Sequence, residues 1–291
     1  MTAVPRVEAS PWAASRRRAE TLRERHAFVA EVLTLYLALL EVWEQAWLLT
    51  RAEEPAELAG WAAERVLPMV LAATAESGPK PLVESLPPTA DARSAEERRA
   101  AGELMAAWLA GAELTPVERY LARASLRGPL EALDAGVACA EDPSPRGERR
   151  CPRCGGPPQL SFRTDTGDNL VSGRRKLQCA RCGEAWSYSG SACAYCGETG
   201  GARRTVYTER HPVSSTPGPR VGRGAGGDAA DVRFPHVRVE ACASCERYLI
   251  DIDLGRDPLA VPEVDELAAL PLDLYAAERG LSKITPNVMG F

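Results

Sequence analysis

The sequence is poor in several things that common functions need. It has three histidines in 291 residues, and only 6% of its side chains are aromatic. Its 35 Lys and Arg face 40 Asp and Glu, a formal charge of -5, so the basic excess of a nucleic-acid-binding protein is missing. His26, His211 and His236 stand in scattered contexts and form no poised Ser/His/Asp or Cys/His set. No G-x-G-x-x-G lies between a strand and a helix, so flavin and nicotinamide sites have no motif. Long apolar runs are lacking too. The longest, Val32 to Leu40, is bounded by Glu31 and Glu41 and is too short to span a bilayer. "SRRRAETLRERHAF" has the paired arginines of an export signal, but Arg23, Glu24, Arg25 and Glu31 occupy its required apolar core. These absences predict a cytoplasmic protein with no membrane insertion, no nucleic-acid partner and no enzymatic activity.

Cysteine is missing from the chain before Cys139, and that first part reads as helix. In "HAFVAEVLTLYLALLEVWEQAWLLT", Phe28, Val32, Leu35, Leu39, Val42, Ala46 and Leu49 recur at steps of four and three, a buried helical face. Leu33, Tyr36, Leu40, Trp43 and Trp47 widen it, which predicts a central helix packed on most sides. "AELAGWAAERVLPMVLAATAES" contains Pro68, which should kink or break it, and "ESLPPTADAR" reads as a loop. Ser94 with Glu97 and Thr115 with Glu118 spell capping boxes, the second with Pro116 at the first helical position. "SLRGPLEALD" predicts a break and a further short helix toward Cys139. The expectation is a helical bundle or irregular α-domain over residues 1–148.

After the polar linker "AEDPSPRGERR" the texture changes to short strand-like pieces between turns: "PQLSFR", "RKLQC", "EAWSY", "RRTVYTE", "HVRVE" and "RYLIDID". "SSTPGPRVGRGAGGDAAD" reads as a glycine-rich loop, "DPLAVPEVDELAALPLDLYAAERG" as helix with Val264, Leu267, Leu270 and Leu274 on one side, and "LSKITPNVMGF" as extended. Four C-x-x-C pairs punctuate this half: Cys151 and Cys154, Cys179 and Cys182, Cys193 and Cys196, Cys242 and Cys245. Each pair puts two sulfurs on one side of a tight turn whose backbone N–H groups favour thiolate. Gly155, Gly183 and Gly197 follow three of them and suit the left-handed turn that closes such a knuckle. Two knuckles supply the four thiolates of a tetrahedral zinc or iron site. Sequential use joins Cys151, Cys154, Cys179 and Cys182 in one site, and Cys193, Cys196, Cys242 and Cys245 in another. The spacer between the first two pairs has room for a hairpin, which favours that pairing over a cross-braced one. Disulfides and a thioredoxin-like dithiol fit a reducing compartment and four pairs less well. Cys139 reads as an ordinary buried thiol.

The residues "CPRCGGPP", "LQCARCGEAW", "CAYCGE" and "VRVEACASCERYLIDIDLGRDPLAVPEVDELAALPLD" together resemble the formate dehydrogenase accessory protein FdhE family. The likeness is good over residues 151–196 and 237–275 and architectural before Cys151. It departs in the fourth knuckle, where Glu246 stands in the glycine position and is expected to strain or open the second site. "SYSGSACAYC" lacks a basic residue before the third knuckle, and the segment around Gly218–Gly227 looks like an insertion.

The resemblance implies an α+β chain: a helical domain (1–148), two rubredoxin- or zinc-ribbon-like four-cysteine lobes (149–190 and 191–255), and a C-terminal helix with an extended tail (256–291). It also implies a non-catalytic, chaperone-like maturation factor that binds the catalytic subunit of formate dehydrogenase. Two iron ions in rubredoxin-like sites are the implied cofactors, with zinc as the alternative. Exposed faces near Trp186, Tyr188 and Tyr248 are the expected partner contacts, because aromatics are enriched where interfaces bury energy, with packing over the metal knuckle for Trp186 and a core position for Tyr248 as the opposing readings. Two other functions stay open at this point: a zinc-ribbon nucleic-acid-binding protein using "SGRRKLQ" and "ARRTVY", and a small electron carrier.

Overall fold

A computed structural model of the chain describes residues 11–87, 94–134, 147–164, 173–209 and 233–290. Cys139, His211, most of the linker, the glycine-rich segment and most of the "ESLPPTADAR" loop lie outside the described residues.

The helical half is built around α2 (Ala30–Glu53), which follows α1 (Ala13–Arg25). Leu33, Leu35, Tyr36, Leu37, Leu39, Leu40, Val42, Trp43 and Ala46 are all buried, so α2 is enclosed on most sides as its pattern predicts. The ends of the expected face are looser, with Phe28 40% exposed and Leu49 half-buried. The run containing Pro68 breaks at Val66 into α3 (Leu58–Arg65) and α4 (Leu67–Ser77), and a short α5 (Lys80–Ser85) follows. Both capping boxes form. Glu97 N–H donates to Ser94 Oγ at 3.1 Å and starts α6 (Ala95–Leu109), while Glu118 N–H donates to Thr115 Oγ1 at 3.3 Å and starts α7 (Pro116–Ala132).

The break expected at Gly128–Pro129 does not occur, and α7 runs through both residues to Ala132. Packing outweighs the local preference. Every residue from Tyr120 to Leu130 is buried, and Trp43 Nε1 donates to Ala124 O at 2.8 Å. At Gly128 a Cβ would lie 2.5 Å from Trp43 O, so glycine is what lets α7 close onto α2. Proline inside a helix costs about 3 kcal/mol, which a fully enclosed helix can offset.

In the second half the strand-like pieces become β1 (Pro158–Arg163), β2 (Arg175–Cys179), β3 (Ala185–Ser187), β4 (Arg204–Thr208), β5 (Val237–Cys242) and β6 (Arg247–Asp253). They form one sheet in the order β3-β2-β1-β6-β5-β4, with β7 (Ser282–Lys283) beside β6. The seam is β1 against β6, a parallel pair with Ser161 opposite Asp251. The two cysteine-bearing hairpin systems are therefore fused edge to edge. The C-terminal helix is two short ones, α8 (Pro262–Ala268) and α9 (Leu270–Glu278), interrupted at Ala269 just before Pro271. Leu274, expected on the apolar side, is 55% exposed.

The carboxylates of α8 point into protein. Glu263 accepts from Tyr36 Oη at 2.6 Å and Arg127 Nη2 at 2.9 Å. Glu266 pairs with Lys283 at 2.5 Å and accepts from Gln159, whose Oε1 in turn accepts from Arg123. Asp265 is held by Arg18 of α1 through Nε at 3.0 Å. Helical half, sheet and C-terminal helices share one apolar core, stapled across the middle by these buried ion pairs.

Candidate metal centres

Each knuckle repeats the same local geometry. In the first, Gly155 N–H donates to Cys151 O (3.0 Å) and Cys151 N–H to Gly156 O (2.9 Å). The second has Gly183 to Cys179 O (3.2 Å) and Cys179 to Glu184 O (2.9 Å); the third has Gly197 to Cys193 O (3.0 Å) and Cys193 to Glu198 O (2.8 Å). Gly155, Gly183 and Gly197 have φ of 70°, 71° and 83°, the left-handed region that glycine enters without penalty. The fourth knuckle is the turn between β5 and β6, and Glu246 closes it at φ 55°. The expected strain is present, and the turn still forms. Backbone N–H groups also reach sulfur: Arg181 N to Cys179 Sγ at 3.3 Å and Tyr195 N to Cys193 Sγ at 3.4 Å.

The pairs combine sequentially. Cys151, Cys154, Cys179 and Cys182 converge on one point, and Cys193, Cys196, Cys242 and Cys245 on another, the sulfurs of each group all within 4.8 Å of one another. Sγ–Sγ separations are 3.7 Å (Cys151–Cys182), 3.4 Å (Cys154–Cys179), 3.8 Å (Cys193–Cys245) and 3.8 Å (Cys196–Cys242). Four thiolates about 2.3 Å from a central zinc make a tetrahedron with edges of about 3.8 Å. A disulfide would need about 2.05 Å, and all eight cysteines are free. The donor set and its spacing fit a four-thiolate ion in each group.

Thiol chemistry in the first group points the same way. Hydrogen bonds from Cys151, Cys179 and Cys182 pull the Cys154 thiol far below its ordinary value. Hydrogen bonding within the group, led by Cys151, pushes Cys182 far up, and burial does the same to Cys179. Two of the four thiols, Cys151 and Cys154, are thus drawn below the ordinary value and two, Cys179 and Cys182, above it.

The family model for "FdhE, C-terminal domain" matches residues 225–289. The FdhE homolog of Aquifex aeolicus is 31% identical over 141 residues, which is 48% of this chain and 41% of that protein. That of Pseudomonas putida is 28% identical over 141 residues, 48% and 38% of the two chains. These sequence matches span about two fifths of the curated relatives. The crystal structure of the FdhE protein from Pseudomonas aeruginosa superimposes with a TM-score of 0.62 at 21% identity, covering 96% of this chain and 95% of that one. The family resemblance is to FdhE. The helical half, the sheet with its two four-cysteine groups and the C-terminal helices form an FdhE-like fold.

The aromatics expected at an FdhE-type partner surface are engaged within the chain. Trp186 is half-buried, with Nε1 donating to Glu148 O at 2.8 Å, and ties β3 to the entry of the first knuckle. Tyr188, also half-buried, donates to Cys193 O at 3.0 Å and braces the third knuckle. Tyr248 is 4% exposed and donates to Asp273 at 2.9 Å, the core position weighed against a contact there.

The basic runs offered for nucleic acid are partly engaged within the chain. Arg174 and Arg203 are exposed, but Arg175 is buried on Glu240 at 2.8 Å, and Arg204 meets the same carboxylate at 2.5 Å. Two of the arginines offered for nucleic acid are thus committed inside the sheet.

His236 gathers with Asp257 and Asp265 in a third candidate group, yet Arg18 already supplies a cation there, 2.7 Å from Asp257 and 2.5 Å from Asp265. His26 packs on Phe234 with ring centroids 4.9 Å apart.

Sequence reasoning missed the buried polar set of Arg123, Arg127, Gln159, Glu263, Glu266 and Lys283. The only signal was the acidic stretch "PEVDEL", whose carboxylates a simple apolar stripe would have sent to solvent.

Proposed function

We propose that this chain is a maturation factor for formate dehydrogenase, acting in the cytoplasm by binding the enzyme's catalytic subunit rather than by catalysis. The observation that carries the reading is the convergence of four knuckles into two four-cysteine groups within an FdhE-like fold. Closed four-thiolate shells leave no open coordination position, so a holding role suits the ions better than hydrolytic chemistry. When bound, the ions cross-link hairpin tips that are distant in sequence. The residues that would hold them are Cys151, Cys154, Cys179 and Cys182 in one site, and Cys193, Cys196, Cys242 and Cys245 in the other. Iron is the ion of choice and zinc the alternative. Ferric tetrathiolate absorbs visible light and zinc does not, so a spectrum of anaerobically purified protein with elemental analysis separates them. No helix among the described residues is long and apolar enough to cross a membrane, which is compatible with action in the cytoplasm.

The test is co-purification. Tagged protein expressed with the catalytic subunit of its own formate dehydrogenase should retain that subunit, and a Cys151→Ser/Cys154→Ser double variant should lose it. A folded, metal-loaded wild-type protein that never retains the subunit, together with normal formate dehydrogenase activity in a deletion strain, would sink the proposal.

A further inference from the structure

The two thiolate groups lie at different depths. Cys151, Cys154, Cys179 and Cys182 are 0%, 3%, 0% and 1% exposed, and all four belong to the main apolar core. Protein closes over them on every described side. Arg181 donates to Trp108 O at 3.1 Å with its guanidinium over the indole, a Cβ at Gly156 would sit 2.7 Å from Cys179 Sγ, and one at Gly183 would collide with Arg127.

The second group is built at the surface. Cys193 and Cys242 are buried, but Cys196 is exposed and Cys245 half-buried, and none of the four joins that core. Tyr195, next to Cys196, is 45% exposed, with the guanidinium of Arg247 4.2 Å from its ring centroid. An independent feature weakens the same group. Its last knuckle is closed by Glu246 in the left-handed region, where the other three have glycine.

We infer that the outer group is an exchange site, trading its ion with soft ligands such as thiols in solution through Cys196, while the inner group gives up its ion only when the core opens. This rests on the reading that both groups hold ions. Exchange at a closed shell needs an incoming donor to reach the ion as a thiolate leaves. At the inner group no donor can approach until the core opens, a rare global event. At the outer group the exposed Cys196 Sγ would turn into water and take the proton of the incoming thiol as that thiolate occupied its position. Cys245 follows in the same way. One ion–donor bond forms for each ion–sulfur bond broken, and no electron moves.

The full-length protein loaded with zinc as the probe ion, challenged with excess pyridylazoresorcinol at neutral pH, should release two equivalents in two phases. The fast phase should carry one equivalent and run at least roughly ten-fold faster than the slow one, given the difference in local opening. Cys196→Ser should abolish the fast phase, leaving the slow equivalent and the far-ultraviolet circular dichroism of the wild type. In zinc-loaded wild type, iodoacetamide followed by mass spectrometry should modify Cys196 before any inner cysteine, a readout that needs no variant to fold. Two equivalents leaving at one rate, a fast phase that survives in the variant, or first alkylation at Cys179 would overturn the inference and leave the metal reading standing. Protein that takes up no zinc would overturn both.

Discussion

Glu246 holds a backbone conformation that an L-residue enters at a cost of about 1–2 kcal/mol. Glu246→Gly should therefore raise stability by about 1 kcal/mol, read as a higher denaturant midpoint for the metal-loaded protein; an unchanged midpoint would show that the turn carries no strain. The position was legible in the sequence, because three sister knuckles put glycine there and this one does not. Gly156 was less legible. Nothing in "CPRCGGPP" says that the second glycine lies under a sulfur, yet a Cβ there would come within 2.7 Å of Cys179 Sγ. Gly156→Ala should weaken the inner group selectively, with one ion lost in metal analysis of the purified variant and the outer ion retained.

Among elements, those with purely local grammar were read best. "PQLSFR", "RKLQC" and "RYLIDID" are β1, β2 and β6 residue for residue, and both capping boxes stand where Ser94 and Thr115 predicted them. Thr115→Ala should cost about 1 kcal/mol, measured by denaturant unfolding, because the Glu118 N–H at the start of α7 loses its acceptor. The course of α7 through Gly128–Pro129 was misread because its helicity is imposed by α2, which the segment's own residues do not record.

Helix α8 was misread for the same reason, its carboxylates being answered by residues far away in the chain. Burial alone would raise the Glu263 pKa, but Arg127 and the Tyr36 hydroxyl outweigh it and hold the carboxyl below its ordinary 4.5. A depressed native pKa gives stability that is complete above that ordinary value and is lost as pH falls through the native one. Glu263→Gln should therefore lower the melting temperature most at neutral pH, by the equivalent of about 3 kcal/mol for a broken buried pair. The gap to wild type should narrow as pH drops below about 4.5. A gap that stays constant from pH 7 to pH 3 would rule out the charged role.

For the molecule as a whole, the sequence disclosed the inventory and not the assembly. Two four-cysteine lobes were legible from knuckle spacing. Their fusion through the parallel β1–β6 pair was not, since Ser161 and Asp251 are 90 positions apart and no local pattern announces the register. Because the inner cysteines are part of the core that also contains α2, α6 and α7, removing the inner ion should loosen both halves together. Cys151→Ser/Cys154→Ser should lower the cooperative melting transition of the helices, whereas Cys193→Ser/Cys196→Ser should leave it nearly unchanged. Equal losses of helical melting temperature in the two variants would contradict a core centred on the inner group. Structural zinc contributes about 10–16 kcal/mol to small domains, ample for such a difference.

The carboxylates of α8 give the chain a direction in time. A ribosome releases Arg123 and Arg127 long before Glu263 and Glu266, so through most of synthesis Arg127 has only Glu131 beside it, Arg123 lacks the Glu266 charge near it, and α7 is not sealed. The first hairpin likewise waits for β6 to complete its parallel flank. The segment from Glu263 onward thus acts as a keystone, and a nascent FdhE-like chain stays unlatched until that segment arrives.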